Sequence, residues 1–372
     1  MLNRMFDFKI SEEATKEFYD YTKVILREGF LADHTYCRIL EDKLKIYIHA
    51  VNSASFSSAT SALFSAFSLL PEGKNVLMQT NTFAATAQAV HANKLNITFF
   101  DIQDTLATAS ITSLKETYEY YIKKGVEFSA VVVVPINGFE SSESQEIRSF
   151  CDEKNLKLIY DNSQGFGSTF DGQFVGALSD RSVVSFHLTK VLTGGEGGML
   201  FNYNSSDKEN FDNEIKGKYF GLSDGIAKQK GLNGKMSEFN AALALSILNN
   251  DFDYRSSRRE NIHNYFDNEI KSETVCKQAI DPKNRPSFYK SVWRTFDTET
   301  RMRFENYCLE SKIKLTGKVY EIPLHKHTLF SSDYIDCKNS ELFGETHFCL
   351  PNFPELEDDQ LYKIVQIINK FD

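Results

Sequence analysis

No two cysteines in this chain form a C-x-x-C pair. Cys37, Cys151, Cys276, Cys308, Cys337 and Cys349 are scattered, so their spacing suggests no zinc site, and they read as reduced, mostly packed thiols of a cytosolic protein. No apolar run approaches the ~18 residues that a membrane-spanning helix needs. The opening residues, MLNRMFDFKISEEATKEF, lack the apolar core of a signal peptide. An excess of positive charge is missing too: 42 Lys and Arg stand against 51 Asp and Glu, a net charge of −9. That argues against nonspecific nucleic-acid binding and leaves room for a local basic pocket that takes a small phosphorylated ligand. Neither a repeat nor a low-complexity linker is present. The expectation is a cytoplasmic protein that works on small molecules, with no metal, nucleic acid or membrane involved.

What the chain does have is the composition of a soluble globular enzyme, 41% hydrophobic and 25% charged over 372 residues. That length suits one large domain and a smaller one. From about residue 50 to 200, short apolar runs alternate with helical patterns. NVLMQ (75–79), NITFFD (96–101), SAVVVVPI (129–136), LKLIYD (156–161) and SVVSFHL (182–188) read as strands. Val131 to Val134 is the continuous β-branched run of a strand buried on both faces. Segments 60–70, 83–93 and 144–155 read as helices, and the alternation implies right-handed crossovers and a mostly parallel sheet. KMSEFNAALALSILNND (235–251) reads as the start of a long helix. Beyond it, one strand and two helices suggest a smaller α+β unit. The expected division is 1–250 and 251–372.

Asp161 ends one expected strand, and Gln164 follows three residues later. Ser185 and His187 lie on the next expected strand, with Lys190 just past it and glycines 194, 195, 197 and 198 around the following turn. Carboxyl ends of parallel strands open into one ligand crevice, so Asp161, Gln164, Ser185 and Lys190 are candidates for a single site. Pyridoxal phosphate needs this set: a lysine for its aldehyde, a carboxylate for its pyridine nitrogen, a neutral donor for its phenolic oxygen and amides for its phosphate. SSATSALFSAF (57–67) supplies the amides, as small polar residues ahead of a helix. Taken singly, each piece also has an ordinary reading. Asp161 suits a turn, Ser57–Thr60 a helix cap, Lys190 a solvated surface and His187 a satisfied core position.

Jointly, YDNSQGFGSTFDGQFVGALSDRSVVSFHLTKVLTGGEGGML (160–200) resembles the cofactor segment of the DegT/StrS family of sugar aminotransferases. SSATSAL is similar to the family's S-S-G-T-A-A-L phosphate loop. NTFAATAQAV, GLNGKMSEFNAALAL and LPNFPELEDDQLYKIVQII are similar to its other segments, so the likeness runs from about Gly29 to the C-terminus. The resemblance implies a fold type I pyridoxal-phosphate enzyme, a large mostly parallel-sheet domain with a smaller C-terminal α+β domain, and a homodimer with shared sites. It implies Lys190 as the residue that bonds to the cofactor aldehyde and moves the proton, Asp161 at the pyridine nitrogen and Gln164 at the phenolic oxygen. Ser185 and the backbone at Thr60 and Ser61 would hold the phosphate, Phe83 would stack on the ring, Asn233 would reach in from the other subunit, and His187 would support the site. Two departures stand out: Ala59 replaces the usual loop glycine, and Asp33-His34 stands where members commonly carry glycine.

The reaction implied is transfer of an amino group from L-glutamate to a nucleotide-linked keto sugar. Ser-x-His-x-x-Lys resembles members that aminate C-4 of a 4-keto-6-deoxyhexose, in deoxyaminosugar and surface-polysaccharide synthesis, more than those that act at C-3. His325 and His327, in EIPLHKHTLF, are candidates for the sugar or diphosphate; a polar surface loop is the alternative. Rival readings are a C-3 or cyclitol aminotransferase of the same family, a related dehydratase, which would lack Lys190, and a non-catalytic binder that regulates.

Overall fold

The computed structural model describes residues 8–330, 333–334 and 336–371. Two helices, α1 (Glu12–Glu28) and α2 (Thr35–Tyr47), precede the sheet. Ser11 starts α1 by accepting the Ala14 N–H, and Gly29, at φ 77°, ends it in the left-handed conformation that glycine adopts without a Cβ clash. The strands that follow are β1 (Asn52–Phe56), β2 (Asn75–Gln79), β3 (Asn96–Phe100), β4 (Phe128–Val133), β5 (Lys157–Asp161), β6 (Arg181–Ser185) and β7 (Gly198–Asn202). Between them lie α3 (Ala59–Phe67), α4 (Ala84–Ala92), α5 (Ile111–Ile122) and α6 (Ser144–Glu153).

The sheet runs β1-β7-β6-β5-β4-β2-β3, and the two-residue strand Asp333–Tyr334 adds to the β3 edge. The parallel sheet expected from the alternation is there, with β7 antiparallel to both its neighbours. Strand β4 explains the β-branched run. Ala130 and Val132 pack into one core with Val76, Met78 and Phe99, while Val131 and Val133 pack into another with Leu77, Phe100 and Leu158. Both faces are covered, as a parallel sheet requires. The chain leaves β2 to one side for β3 and to the other for β4, and this switch point opens a crevice at the strands' carboxyl ends.

After α7 (Lys208–Ile215), the long helix expected from residue 235 takes the form of two. Ser237 caps α8 (Glu238–Asn250) by accepting the Phe239 N–H, so buried Met236 stands before the helix. Asp251 then separates α8 from α9 (Phe252–Glu269). The last third pairs short strands, Cys276–Lys277, Ser291–Arg294 and His347–Leu350, with α10 (Thr298–Glu310), α11 (Lys338–Thr346) and α12 (Asp358–Ile368). A separate core of Ile262, Phe266, Trp293, Phe304, Phe348 and Ile364 holds it together. All six cysteines are free thiols and only Cys276 is exposed. Among the described residues, no helix is long and apolar enough to cross a membrane.

Candidate active site

A cavity of roughly 670 Å³ opens at the carboxyl ends of the central strands, lined by the start of α3, the ends of β5 and β6 and segments 289–290 and 317–322. Asp161, the last residue of β5, faces it while only 5% exposed. One carboxylate oxygen accepts from Thr86 Oγ1 at 2.5 Å; the other accepts from the Ser163 N–H at 3.2 Å and the Ser163 hydroxyl at 2.5 Å. Among the described residues, no lysine, arginine or histidine forms an ion pair with it. A buried carboxylate without a cation is a poor arrangement on its own, and a protonated ring nitrogen in the cavity is the counter-charge it suits.

Gln164 sits in the turn after β5, with its amide orientation fixed. Its Oε1 accepts the Asn137 N–H at 2.8 Å, and its Nε2 donates to the Tyr320 hydroxyl at 2.6 Å. An amide nitrogen carries two hydrogens, so one remains for a ligand. Tyr320 has a φ of 62°, a left-handed backbone that a bulky residue adopts only where its surroundings hold it. Burial pushes its hydroxyl well above the ordinary tyrosine range, and the Asp161 charge pushes the same way.

The start of α3 forms the polar end. Ser58 caps the helix through a reciprocal pair with Ser61, and Ser58 O takes the Ala62 N–H. The amides of Ala59 and Thr60 have no protein acceptor among the described residues, and both residues line the cavity. A helix N-terminus with free amides attracts an anion. Ala59 lies in the helix without positive φ, so alanine replaces glycine there without strain. Gly198 explains the close approach, because a Cβ on it would lie 2.4 Å from Ala59 N. Ser185 ends β6 and accepts the His187 N–H at 3.2 Å, so its own hydrogen is free for an acceptor.

Lys190 stands in the turn after β6, its N–H bonded to His187 O at 2.9 Å. Its ammonium lies 4.6 Å from the centre of the Tyr289 ring. The glycines that follow are packed rather than loose: a Cβ on Gly194 would meet Asn240 O at 2.6 Å, and one on Gly197, at φ 141°, would meet Met236 at 2.8 Å. The turn is thus pressed onto α8, and Lys190 has a fixed base. Around it, Thr189 Oγ1 touches His187 Nδ1 at 3.0 Å and the Tyr289 hydroxyl at 3.1 Å. Burial pushes the Tyr289 hydroxyl up, but Lys190, Lys290, the Thr189 bond and Arg259 outweigh it, and the net direction is down.

Several expected positions need correction. Strand β6 ends at Ser185, and His187 lies beyond it, exposed at the cavity edge and bridged to Gly195, with Nε2 3.8 Å from Glu196. Ser61 is buried outside the cavity lining, and its amide serves the Ser58 cap at 3.1 Å. His325 is buried outside it as well: its ring nitrogens lie 2.8 Å from Thr80 Oγ1 and 3.0 Å from Glu341, which holds it as a structural residue. His327 does line the cavity. Phe83 caps the start of α4 and lies at the cavity with 64% of its surface exposed. Asn233 is exposed and pairs through its backbone with Tyr219, away from its own chain's cavity lining. Tyr289, Tyr320 and Asn137 gave no signal in the sequence, and Thr86 lies in the NTFAATAQAV segment without standing out there; Ser163, two residues after an aspartate, fits a side-chain turn pattern.

Residues 12–369 match the family model described as the DegT/DnrJ/EryC1/StrS aminotransferase family. The chain belongs to this family. Among its relatives are the GDP-perosamine synthase of Escherichia coli O157:H7, 27% identical over 90% of each chain, and the UDP-4-amino-4,6-dideoxy-N-acetyl-beta-L-altrosamine transaminase of Campylobacter jejuni strain 81-176, 31% identical over 89% of this chain and 90% of that one. A less similar relative is the UDP-N-acetyl-3-dehydro-alpha-D-glucosamine 3-aminotransferase of Acidithiobacillus ferrooxidans, 25% identical over 87% and 84%. The crystal structure of a DegT DnrJ EryC1 StrS aminotransferase from Brucella abortus superposes with a TM-score of 0.87 at 22% identity, covering 96% of this chain and 95% of that one. As a member of the DegT/DnrJ/EryC1/StrS family the chain is a pyridoxal-phosphate-dependent aminotransferase with the fold type I architecture. The uncompensated Asp161 carboxylate, the oriented Gln164 amide and the open α3 amides fit that cofactor.

Proposed function

We propose that this aminotransferase moves the amino group of L-glutamate to the keto carbon, C-4 in preference, of a nucleotide-linked 4-keto-6-deoxyhexose. The observation that carries the reading is the convergence of Asp161, Gln164, Ser185 and Lys190 on one cavity that continues past them to Ile322 and His327, leaving space for a sugar. When bound, the cofactor supplies an electron sink for charge that develops on the substrate carbon. Asp161 would hold the ring nitrogen's proton, Gln164 would donate to the phenolic oxygen, and Ala59, Thr60 and Ser185 would bind the phosphate. Phe83 would wall the ring. Lys190 Nζ would anchor the aldehyde carbon and afterwards carry the proton to and from the substrate carbon, and His187 would steady the Lys190 turn through Thr189. His327 would face the sugar or its diphosphate.

C-4 is favoured by the Ser185-x-His187-x-x-Lys190 spacing. The 3-aminotransferase relative supports amination at C-3 as a second reading. Assays of the purified enzyme with glutamate against a panel of dTDP-, UDP- and GDP-linked 3- and 4-keto sugars, with product NMR, decide between them. Turnover of the 4-keto compounds is expected; product from the 3-keto compounds alone overturns the C-4 assignment.

The same reading includes a division near residue 250, a cytoplasmic location, supported by the free thiols, and a homodimer in which each site borrows the partner's copy of Asn233. Mixing Lys190→Ala with Asn233→Ala subunits tests the last point. In a mixed dimer one site then has both lesions and the other has neither, so activity should rise above that of either parent. Given subunit exchange and an impaired Asn233→Ala parent, no rise in verified mixed dimers places Asn233 at its own chain's site.

A further inference from the structure

We propose that Lys290 is the cation that recognises a carboxylate of the amino donor; this rests on the aminotransferase reading above. Three lysines line the cavity: Lys190, Lys290 and Lys318. Lys318 is neutralised by Glu321 and by Glu305 at 3.2 Å, and Lys190 serves the cofactor aldehyde. Lys290 has no carboxylate partner among the described residues. An unpaired ammonium, half-buried at a cavity wall, is a ready partner for an anion.

Its position is also specified. The Lys290 N–H donates to Asn137 Oδ1 at 2.5 Å, and the Asn137 N–H donates to Gln164 Oε1 at 2.8 Å. The Ser287 hydroxyl donates to Gln164 O at 2.7 Å. Segment 287–290 is thereby pinned to the turn that carries Gln164, so Lys290 is registered against the cofactor groups although 126 residues separate the two in sequence. Its ammonium lies 5.4 Å from the centre of the Tyr289 ring, and that of Lys190 lies 4.6 Å from the same point. The two cations therefore stand beside the same ring.

Chemistry chooses the anion. An amino donor must bring its amine to the Lys190 end, and its α-carboxylate is attached to the same carbon. The keto sugar carries its charge on the diphosphate, and the sugar ring separates that from a C-4 carbonyl. A cation close to the reacting lysine therefore suits the donor carboxylate better than the diphosphate. Both substrates use one centre in turn, so Lys290 gives the site affinity for one of them without a separate pocket.

The test uses cofactor-loaded wild type, Lys290→Gln and Lys290→Arg. Calorimetry measures binding of glutarate and of UDP, dTDP and GDP, and absorbance follows the half-reaction with glutamate in the absence of sugar. Lys290→Gln should weaken glutarate and raise the half-saturating glutamate concentration by roughly ten- to a hundredfold, the range of a lost charged hydrogen bond. Nucleoside diphosphate binding should stay within about threefold, and Lys290→Arg should recover most of the loss. Unchanged glutarate and glutamate responses in a folded Lys290→Gln enzyme overturn the proposal, as does a loss confined to the nucleoside diphosphates. Failure of the underlying reading looks different: the wild type itself would not respond to glutamate, which removes the donor and this assignment together.

Discussion

Lys190→Ala protein should fold, yet lose the visible absorbance of cofactor-loaded enzyme and nearly all turnover. The Lys190 ammonium takes part in no ion pair among the described residues and lies beside the Tyr289 ring. Its removal therefore costs little packing. The glycine turn is fixed by α8 through Gly194 and Gly197, so the backbone at 190 should stay in place. In the proposed role one amine both anchors the cofactor and carries the proton, so the chemical loss is large. A positioned acid–base group contributes roughly 10²- to 10⁴-fold, and loss of the covalent anchor adds to that. Absorbance spectra, glutamate-to-sugar transfer and thermal unfolding of the variant check this. Wild-type transfer by Lys190→Ala would remove the residue from the mechanism.

Asp161→Asn should separate catalysis from stability. Three donors reach the carboxylate: the Thr86 hydroxyl, the Ser163 hydroxyl and the Ser163 N–H. Asparagine keeps one acceptor oxygen, and the Thr86 hydroxyl can turn to accept from the new NH₂, so the stability cost is on the order of 1–3 kcal/mol. What asparagine cannot do is balance a positive ring nitrogen inside a buried site. Losing a preorganised charge of that kind costs about 10²- to 10³-fold in kcat. The comparison is kcat at saturating cofactor against Tm. Near-normal kcat in a variant that holds cofactor contradicts the role given to Asp161.

The part of the site that lies on strand ends was legible because two local periodicities locate it. The strand at 75–79 has the bounds expected from its apolar run, and β5 ends at Asp161 as LKLIYD implies. Strand β6 is shorter than its apolar run, because its ladder with β7 ends at Ser185 opposite Gly198. The run continues through Phe186, which packs into the core and bonds to Gly197 O and the Gly194 N–H, to His187, which keeps only an isolated bridge to Gly195. What was not legible depends on long-range contacts. Thr86 meets Asp161 across 75 residues, and Tyr320 meets Gln164 across 156. Tyr289 comes beneath Lys190 only when the C-terminal third folds back onto the sheet. A histidine in a polar loop carries no mark of burial, so His325 looked like His327; Thr80 and Glu341, distant in sequence, make it structural. Ser61 was misplaced for a smaller reason. The same small polar residues that offer amides to an anion also cap one another, and here the third amide of α3 is spent on Ser58.

The most direct test of the account is where the cofactor attaches. Purified enzyme loaded with pyridoxal phosphate is reduced with borohydride, digested and mapped by mass spectrometry. The account predicts one modified peptide, with the added mass on Lys190. Attachment at Lys290, at Lys318 or at no lysine would contradict it.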